Sequence, residues 1–218
     1  MSDPLDELYQ ARFDEHEQSA KQVVWDEIVR YLQRYVDPAK PVLDLACDRG
    51  HFVRPIKASE KWATDIRDMS AALPADVRFV QSSGLELDSV LPLGHFGTVF
   101  MSNYLEHLES SDAVIRQLTV VRKLLAPGGR AIILQPNIRL VGPRYWDFID
   151  HRVALTDRSL LEAAELAGLR THTLVTRFLP YSTKGRLPAG PWLVRGYLAL
   201  PPAWFLLGKQ TLYVGVQA

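Results

Sequence analysis

The stretch VLDLACDRGHF, residues Val42–Phe52, decides how this chain folds. Pro41–Leu45 is a short aliphatic run of strand length, and Asp44 interrupts it close to its end. Asp48-Arg49-Gly50 has the composition of a tight turn, and His51–Ala58 is predicted to begin a helix. A strand, turn and helix in this order present backbone N–H groups and a helix N-terminus to a ligand above the sheet.

The composition describes one ordinary globular domain. Of the 218 residues, 47% are apolar and 23% are charged, which is enough apolar sequence for a sizeable core. Acidic and basic residues number 25 each, so the chain lacks the overall charge that attracts nucleic acid, and no nucleic-acid partner is expected. The single Cys47 excludes an intrachain disulfide, and the acidic Met1–Gln10 does not resemble a secretory signal. These observations predict a cytoplasmic location.

Runs of strand length alternate with segments of helical spacing along the rest of the chain. Residues 3–35 carry apolar and aromatic side chains at helical spacing, so one or two helices are predicted before Pro38. The further predicted strands are Trp62–Ile66, Val77–Val80, Phe96–Ser102, Arg130–Gln135, Leu169–Leu179 and Gln210–Val216, and the further predicted helices are Asp112–Leu125 and Thr156–Leu166. This alternation predicts a doubly wound α/β sheet that is mostly parallel.

Ala46, Asp48 and Gly50 follow Asp44 at alternate positions. The pattern resembles the cofactor-binding motif of class I S-adenosylmethionine-dependent methyltransferases, in which an acidic residue precedes three small residues. Asp48 departs from it, because a carboxylate and a Cβ stand where the family lets the backbone approach the methionine part of the cofactor. A dinucleotide fingerprint would need three glycines in this turn, and only Gly50 is present.

Two later segments extend the resemblance. NYLEHL, Asn103–Leu108, is similar to the family's fourth motif, and LLAPGGRAIIL, Leu124–Leu134, is similar to its helix-to-strand turn. The resemblance implies a Rossmann-like sheet of seven strands in the order 3-2-1-4-5-7-6, with an antiparallel last strand. It also implies a single domain, in which residues 1–37 form a helical lid, residues 41–136 the cofactor-binding core and residues 137–218 the acceptor-side region.

S-adenosylmethionine is the cofactor that the resemblance implies. Asp65 follows Asp44 by 21 residues, at a strand end where a carboxylate can accept hydrogen bonds from ribose hydroxyls; a surface-turn aspartate is the alternative. Ser82 or Ser83 stands where many members have an acidic residue that contacts adenine. The predicted cofactor-binding residues are Asp44, Ala46, Cys47, Asp48, Gly50, Asp65, Ile66, Ser82, Ser83 and Asn103.

Aromatic and titratable residues are concentrated in NIRLVGPRYWDFIDHR, residues 137–152. At the carboxyl edge of a sheet this composition suits a small-molecule acceptor pocket, and a hydrophobic cluster that covers the sheet edge is the alternative. The predicted acceptor-binding residues are Tyr9, Phe13, Tyr104, Tyr145, Trp146 and Tyr181. Asp147, Asp150 and His151 have the i, i+3, i+4 spacing of metal ligands on a helix, but any solvated helix face has that spacing, so no metal is predicted.

A histidine is a suitable base near neutral pH, and two candidates are present. His151 is predicted to deprotonate the acceptor and His107 to shape the site; for each, a histidine satisfied by backbone groups is the alternative. The favoured function is O-methylation of a small polar acceptor, such as a sugar or natural-product hydroxyl. Use of the cofactor, or of a modified cofactor, for other chemistry is a second hypothesis, and a non-catalytic binding or assembly protein is a third.

Pro188–Gly208 is rich in Trp, Leu, Tyr and Phe but is interrupted by Arg195 and by Pro201-Pro202. A membrane-spanning helix needs about 20 uninterrupted apolar residues, so this segment is not expected to span a bilayer. A core helix is the first prediction. A homodimer face and an interfacial patch that meets a lipid-linked acceptor are the alternatives.

Overall fold

The computed structural model describes residues 15–181 and 190–217, which form a seven-stranded sheet in the order β3-β2-β1-β4-β5-β7-β6. The strands are β1 Val42–Leu45, β2 Lys61–Asp65, β3 Val77–Gln81, β4 Phe96–Ser102, β5 Leu125–Pro136, β6 Leu169–Leu179 and β7 Gln210–Gln217. Strands β1 to β5 pair in parallel, and β7 is antiparallel to both β5 and β6. The predicted strand order and the antiparallel last strand are confirmed.

Helices cover both faces of the sheet. They are α1 Glu15–Leu32, α2 Leu87–Val90, α3 Ser111–Leu124, α4 Ile138–Val141, α5 Asp157–Leu166, α6 Pro191–Ala199 and α7 Pro201–Leu207. Side chains alternate along the buried strands, so Val99 and Met101 pack with α3 and α5, whereas Phe100 packs on the other face with α1, α6 and α7. The result is the three-layer architecture expected for a mostly parallel sheet.

The predicted helix at His51–Ala58 is wrong. These residues, all within the described range, form turns, and a single helical hydrogen bond runs from the Arg54 N–H to the Gly50 carbonyl. Pro55 explains the difference, because proline has no N–H to donate and disfavours helical backbone at the residue before it. The turn after β1 therefore leads into one helical turn, and the backbone N–H groups of the turn itself remain at the edge of the sheet.

A capping box fixes the start of α5 as the sequence predicts. The Thr156 hydroxyl accepts the Ser159 N–H at 3.0 Å, and the Ser159 hydroxyl accepts the Thr156 N–H at 2.9 Å. The helix ends before Gly168, whose φ of 81° lies in the left-handed region. Both ends of α5 are thus encoded locally.

The segment that contains α6 and α7 is not the core helix that its composition predicts. Leu198 and Trp204 are buried against the sheet, but most of the other large apolar side chains face outward. We call this surface the α6–α7 face; its exposed members are Trp192, Leu193, Leu200, Phe205, Leu206 and Leu207. Pro201 and Pro202 divide the segment into two short helices. Each helix buries only part of its apolar surface against the rest of the molecule. Within residues 15–181 and 190–217, no helix is long and apolar enough to cross a membrane.

An ion pair between a buried carboxylate and an exposed guanidinium joins α1 to α6. Glu27 is only 4% exposed, and both of its carboxylate oxygens accept hydrogen bonds from Arg195, at 2.8 and 3.0 Å. Arg30 donates to the same carboxylate, and these contacts hold the pKa of Glu27 below its usual range even though burial opposes the shift. The helix that precedes the first strand is therefore fastened to a helix near the last one.

Candidate active site

The turn after β1 keeps a left-handed backbone at three alternate positions. The φ angles are 55° at Ala46, 47° at Asp48 and 72° at Gly50. These are the positions at which the family has small residues, and a left-handed φ is the conformation that glycine adopts most easily. At Gly50 a side chain would be strained by the left-handed φ, and its Cβ would lie 2.4 Å from a terminal methyl group of Leu73, which would have to move. The local backbone of the motif is preserved even though two of its glycines are replaced.

Arg67 neutralises the unusual carboxylate of the motif. Its Nη2 donates to Asp48 Oδ1 at 3.1 Å and its Nε donates to Asp65 Oδ1 at 3.2 Å, so the guanidinium bridges the two acids. The Asp48 N–H donates to Asp65 Oδ2 at 3.1 Å, and Lys21 Nζ lies 3.9 Å from Asp48 Oδ2. Ribose hydroxyls that bind Asp65 would have to exchange with these donors. Arg67 was not among the predicted site residues; its only signal in the sequence is its position two residues after the acid at the end of β2.

Asp44 holds the turn against the first strand. Its carboxylate is buried and accepts the Val53 N–H at 3.2 Å. Burial raises the pKa of Asp44 well above its usual range, and the nearby Asp65 and Asp48 raise it further. Cys47 is also buried, and burial raises the pKa of its thiol, so it is not an activated nucleophile.

The remaining predicted cofactor residues lie at neighbouring strand ends. Ile66 follows β2 and is exposed, and Ser82 and Ser83 follow β3, where the Ser82 N–H donates to the Asp65 carbonyl. Asn103 follows β4 with a left-handed φ of 49°. The residues at this edge fit the cofactor: the turn can receive the methionine part, Asp65 the ribose and the serine hydroxyls the adenine. Their cofactor contacts remain predictions.

A cluster of side chains around the buried Glu106 lies at the same edge beyond β4 and β5. Glu106 is 1% exposed, and its Oε2 accepts a hydrogen bond from Gln135 Nε2 at 3.0 Å. The Arg152 and Val153 N–H groups both donate to the Glu106 carbonyl, which ties residues 150–153 to the segment after β4. Burial raises the pKa of Glu106, and His107 opposes the shift. Neither Glu106 nor Gln135 was among the predicted site residues, although Glu106 lies in NYLEHL, the segment that resembles the family's fourth motif.

His107 and His151 meet in this cluster. Their ring centroids are 5.1 Å apart, and the His151 ring also lies 4.8 Å from the ring of Tyr145 and 5.2 Å from that of Phe148. Tyr145 is fully buried and donates its hydroxyl hydrogen bond to the Val153 carbonyl at 2.6 Å. His107, His151 and Tyr145, three of the predicted site residues, thus lie next to one another, and their roles stay predictions.

The other predicted acceptor residues lie at different distances from the cluster. The Tyr181 ring lies 6.3 Å from that of Phe148, and burial raises the pKa of Tyr181 to about 12. Trp146 is half-exposed beside Tyr145. Tyr104 points elsewhere, since its hydroxyl donates to Gln117 Oε1 at 2.8 Å below Gly84. Tyr9 and Phe13 lie outside the described residues.

The helical metal-ligand spacing at Asp147, Asp150 and His151 is absent. A 3-10 helix ends at Asp147, and the three residues do not share a helix face. Asp147 is largely exposed and lies 3.9 Å from Arg144. Gly142-Pro143 redirects the chain into that short helix, so an argument from α-helical spacing does not apply.

Strand order and site together define a class of protein, the α/β methyltransferases with a cofactor turn after β1. A family model described as "Methyltransferase domain" matches residues 13–174, which is more than half of the chain. The chain belongs to this family, the class I S-adenosylmethionine-dependent methyltransferases. The cofactor of the family is S-adenosylmethionine.

Solved structures show the same fold at low sequence identity. A SAM-dependent methyltransferase from Archaeoglobus fulgidus is 17% identical with a TM-score of 0.63, covering 88% of this chain and 92% of that chain. A Haloferax volcanii protein solved with the Trm112 methyltransferase activator is 16% identical with a TM-score of 0.69, covering 100% and 99%. Geranyl diphosphate C-methyltransferase from Streptomyces coelicolor is 15% identical with a TM-score of 0.60, covering 87% and 76%. No curated protein matches the chain.

Proposed function

We propose that this protein methylates a hydroxyl group of a small polar acceptor, such as a sugar or a natural product, with His151 as the base. The observation that carries the proposal is the cluster of buried Glu106 and Tyr145 with the partly exposed His107 and His151. It follows β4 and β5, and β4 is the immediate neighbour of the strand that carries the cofactor turn. An acceptor in this cluster would lie at the carboxyl edge that also carries the predicted cofactor contacts.

Methyl transfer to a hydroxyl requires the protein mainly to align the acceptor and to remove the hydroxyl proton. The cofactor supplies an activated sulfonium methyl group, so the chain has to hold the acceptor oxygen in line and exclude water. The aromatic rings of Tyr145 and Phe148 lie next to the ring of His151, and His107 borders the same space. In this arrangement His151 receives the hydroxyl proton as the acceptor is methylated.

The choice of acceptor rests on the character of the pocket and of the whole surface. Aromatic walls with a few polar groups suit sugar rings and planar rings. The balance of 25 acidic and 25 basic residues argues against nucleic acid as the acceptor. The exposed α6–α7 face additionally supports an acceptor with a lipid anchor, or a homodimer that covers this face. A buried single cysteine agrees with a reducing, cytoplasmic setting.

One observation favours the second candidate, a protein of this fold that does not transfer methyl groups. The Arg67 bridge occupies the carboxylates of Asp48 and Asp65 together. If this bridge excludes the ribose, the protein would bind a modified cofactor or no cofactor.

Calorimetric titration with S-adenosylmethionine and S-adenosylhomocysteine separates these functions. We expect micromolar-range binding, followed by S-adenosylhomocysteine release when a panel of glycosides and phenols is supplied. His151→Asn should lower kcat by about 10²–10⁴-fold without weakening cofactor binding, because it removes only the base. His172→Asn, on an exposed strand position, is the matched control. An unchanged kcat in His151→Asn would reject the base, and absent cofactor binding would favour the second candidate.

A further inference from the structure

We propose that Glu106, His107 and His151 bind a divalent transition-metal ion. One carboxylate oxygen and one nitrogen from each imidazole lie within 4.8 Å of one another. Two histidines with one carboxylate make up a ligand set found in catalytic zinc sites and in non-haem iron sites, where further coordination positions stay open. Binding of the ion does not depend on the proposed function. The effect of the ion on the acceptor hydroxyl rests on the proposed function.

The carboxylate is already oriented by a neighbour. Glu106 is 1% exposed, and Gln135 Nε2 donates to Oε2, so Oε1 is the oxygen left facing His107 Nε2 at 4.0 Å. A buried carboxylate is costly unless it is paired with a cation or with hydrogen-bond donors. A cation between Glu106 and the two imidazoles would compensate for that cost.

The His107 ring is held in the tautomer that a metal ligand needs. Its Nδ1 lies 3.0 Å from the Asp150 carbonyl oxygen, which can only accept, so Nδ1 carries the proton. Nε2 therefore has its lone pair available on the side of Glu106. Ligating histidines in metal sites usually donate their other N–H to a carbonyl or carboxylate in this way, which fixes the ring orientation.

The spacing requires only a small contraction. Ligand bonds of about 2.0–2.2 Å in a tetrahedral site place ligand atoms about 3.4 Å apart. The observed spacing is up to 4.8 Å, and the loop that carries His151 is tied to Glu106 by two backbone hydrogen bonds. Rotation of the side chains can close the difference without rebuilding the backbone.

A bound ion would change the role of His151 from base to ligand. An acceptor hydroxyl at an open position on the ion would have a lower pKa, as metal-bound water does, and would release its proton to solvent water. Imidazole ligands favour Zn²⁺ and Mn²⁺ over Mg²⁺, which prefers a shell of oxygen atoms. Selectivity for a transition metal over Mg²⁺ is thus part of the inference.

Titration of the EDTA-treated protein with ZnCl₂, MnCl₂ and MgCl₂ tests the site without cofactor or acceptor. We expect one Zn²⁺ or Mn²⁺ per chain, bound more tightly than Mg²⁺. His107→Gln and His151→Gln should each weaken binding more than about 10-fold, and Gln135→Met should weaken it by about 10–100-fold as an orienting neighbour. His172→Gln should bind as the wild type does, and thermal melting of each variant checks that it is folded.

Absence of binding, or equal binding in wild type and both histidine variants, would overturn the metal site. The outcome is separable from that of the proposed function. If the protein binds no ion and methylates an acceptor equally well after EDTA treatment, the proposed base is retained and the metal site is rejected. A protein that binds Zn²⁺ through these residues but methylates nothing would keep the metal site and lose the proposed acceptor chemistry.

Discussion

Asp48 is the residue at which the chain departs most from its family. A left-handed φ of 47° is tolerated by aspartate and is easier for glycine, and the carboxylate contacts Arg67. We expect Asp48→Gly to bind S-adenosylmethionine more tightly, by up to about 1 kcal/mol or roughly fivefold, since it removes a charge that repels the cofactor carboxylate. Asp48→Asn, which keeps the Cβ, separates charge from bulk in the same calorimetric titration. Weaker binding by Asp48→Gly would show that the Arg67 bridge serves the cofactor.

His51, in the turn after β1, makes the free energy of unfolding depend on pH. Burial and then the nearby Lys21 lower the pKa of His51 from 6.5 to about 4, while its Nδ1 lies 2.8 Å from Gln22 Oε1. The unfolded chain therefore binds a proton that the folded chain does not, and the free energy of unfolding falls as the pH drops from 6.5 towards 4. The effect is absent above pH 6.5.

Denaturant unfolding of wild type and His51→Asn at pH 7.5 and pH 5 measures this contribution. The wild type should lose more stability than the variant between the two pH values. The comparison is needed because the raised pKa values of Asp44 and Glu106 act in the opposite direction. His172→Asn should follow the wild type, and parallel pH profiles for wild type and His51→Asn would contradict the prediction.

Single residues were predictable where their role depends on position along the chain. Asp65, His107 and His151 follow strands or a turn, and ligand-facing residues in this fold lie at strand ends. Arg67 was not recognised, and Glu106 was not among the predicted site residues, because the contacts that each makes depend on partners far away in sequence. Arg67 meets Asp48 across 19 positions, and Glu106 meets Gln135 across 29. Hydrophobic periodicity carries no information about such contacts.

At the level of elements, α5 shows how much a cap contributes. Thr156→Ala removes the hydroxyl that accepts the Ser159 N–H, and we expect it to lower the free energy of unfolding by about 1 kcal/mol. Thr119→Ala, whose hydroxyl donates to the Ile115 carbonyl within α3, should cost less. Urea unfolding of the two variants provides the measurement. Equal losses would mean that the cap adds nothing beyond the general effect of losing a threonine.

Elements were predictable where local rules decide them. Six of the seven strands follow apolar runs of strand length, with ends within about two residues of the prediction. β5 instead begins at Leu125, before the predicted Arg130, because Leu125 pairs with Phe96 before the register shifts. The prediction failed after β1, where one proline outweighs helix-compatible neighbours, and at α6 and α7. Apolar content there gave no indication of which side the rest of the molecule would cover, since burial depends on tertiary packing.

The order of the strands across the whole molecule could not be derived from periodicity. It came from the resemblance of the motifs, because periodicity indicates that a strand exists but not which strand is its neighbour. The pattern of alternating strands and helices restricts the choice to open α/β sheets.

The exposed α6–α7 face leads to a prediction about the whole molecule. If it meets lipid, the protein should co-sediment with vesicles containing phosphatidylglycerol. Phe205→Glu combined with Leu206→Glu should then reduce the bound fraction at least about 10-fold, because each apolar side chain contributes more than about 1 kcal/mol when buried. Leu166→Glu, an equally exposed position on α5, is the control. Failure of the wild type to sediment, with a dimer in light scattering that the double variant abolishes, would favour the homodimer face.

The strand order also determines when the strands of the sheet can pair during synthesis on the ribosome. β7 follows β5 and β6 along the chain, yet it lies between them in the sheet and pairs with both. While residues 210–217 are still inside the exit tunnel, β6 has no sheet to join and one edge of β5 stays open. Open edges and slow long-range pairing favour aggregation. Nascent chains of this protein should therefore depend on chaperones until β7 has left the exit tunnel.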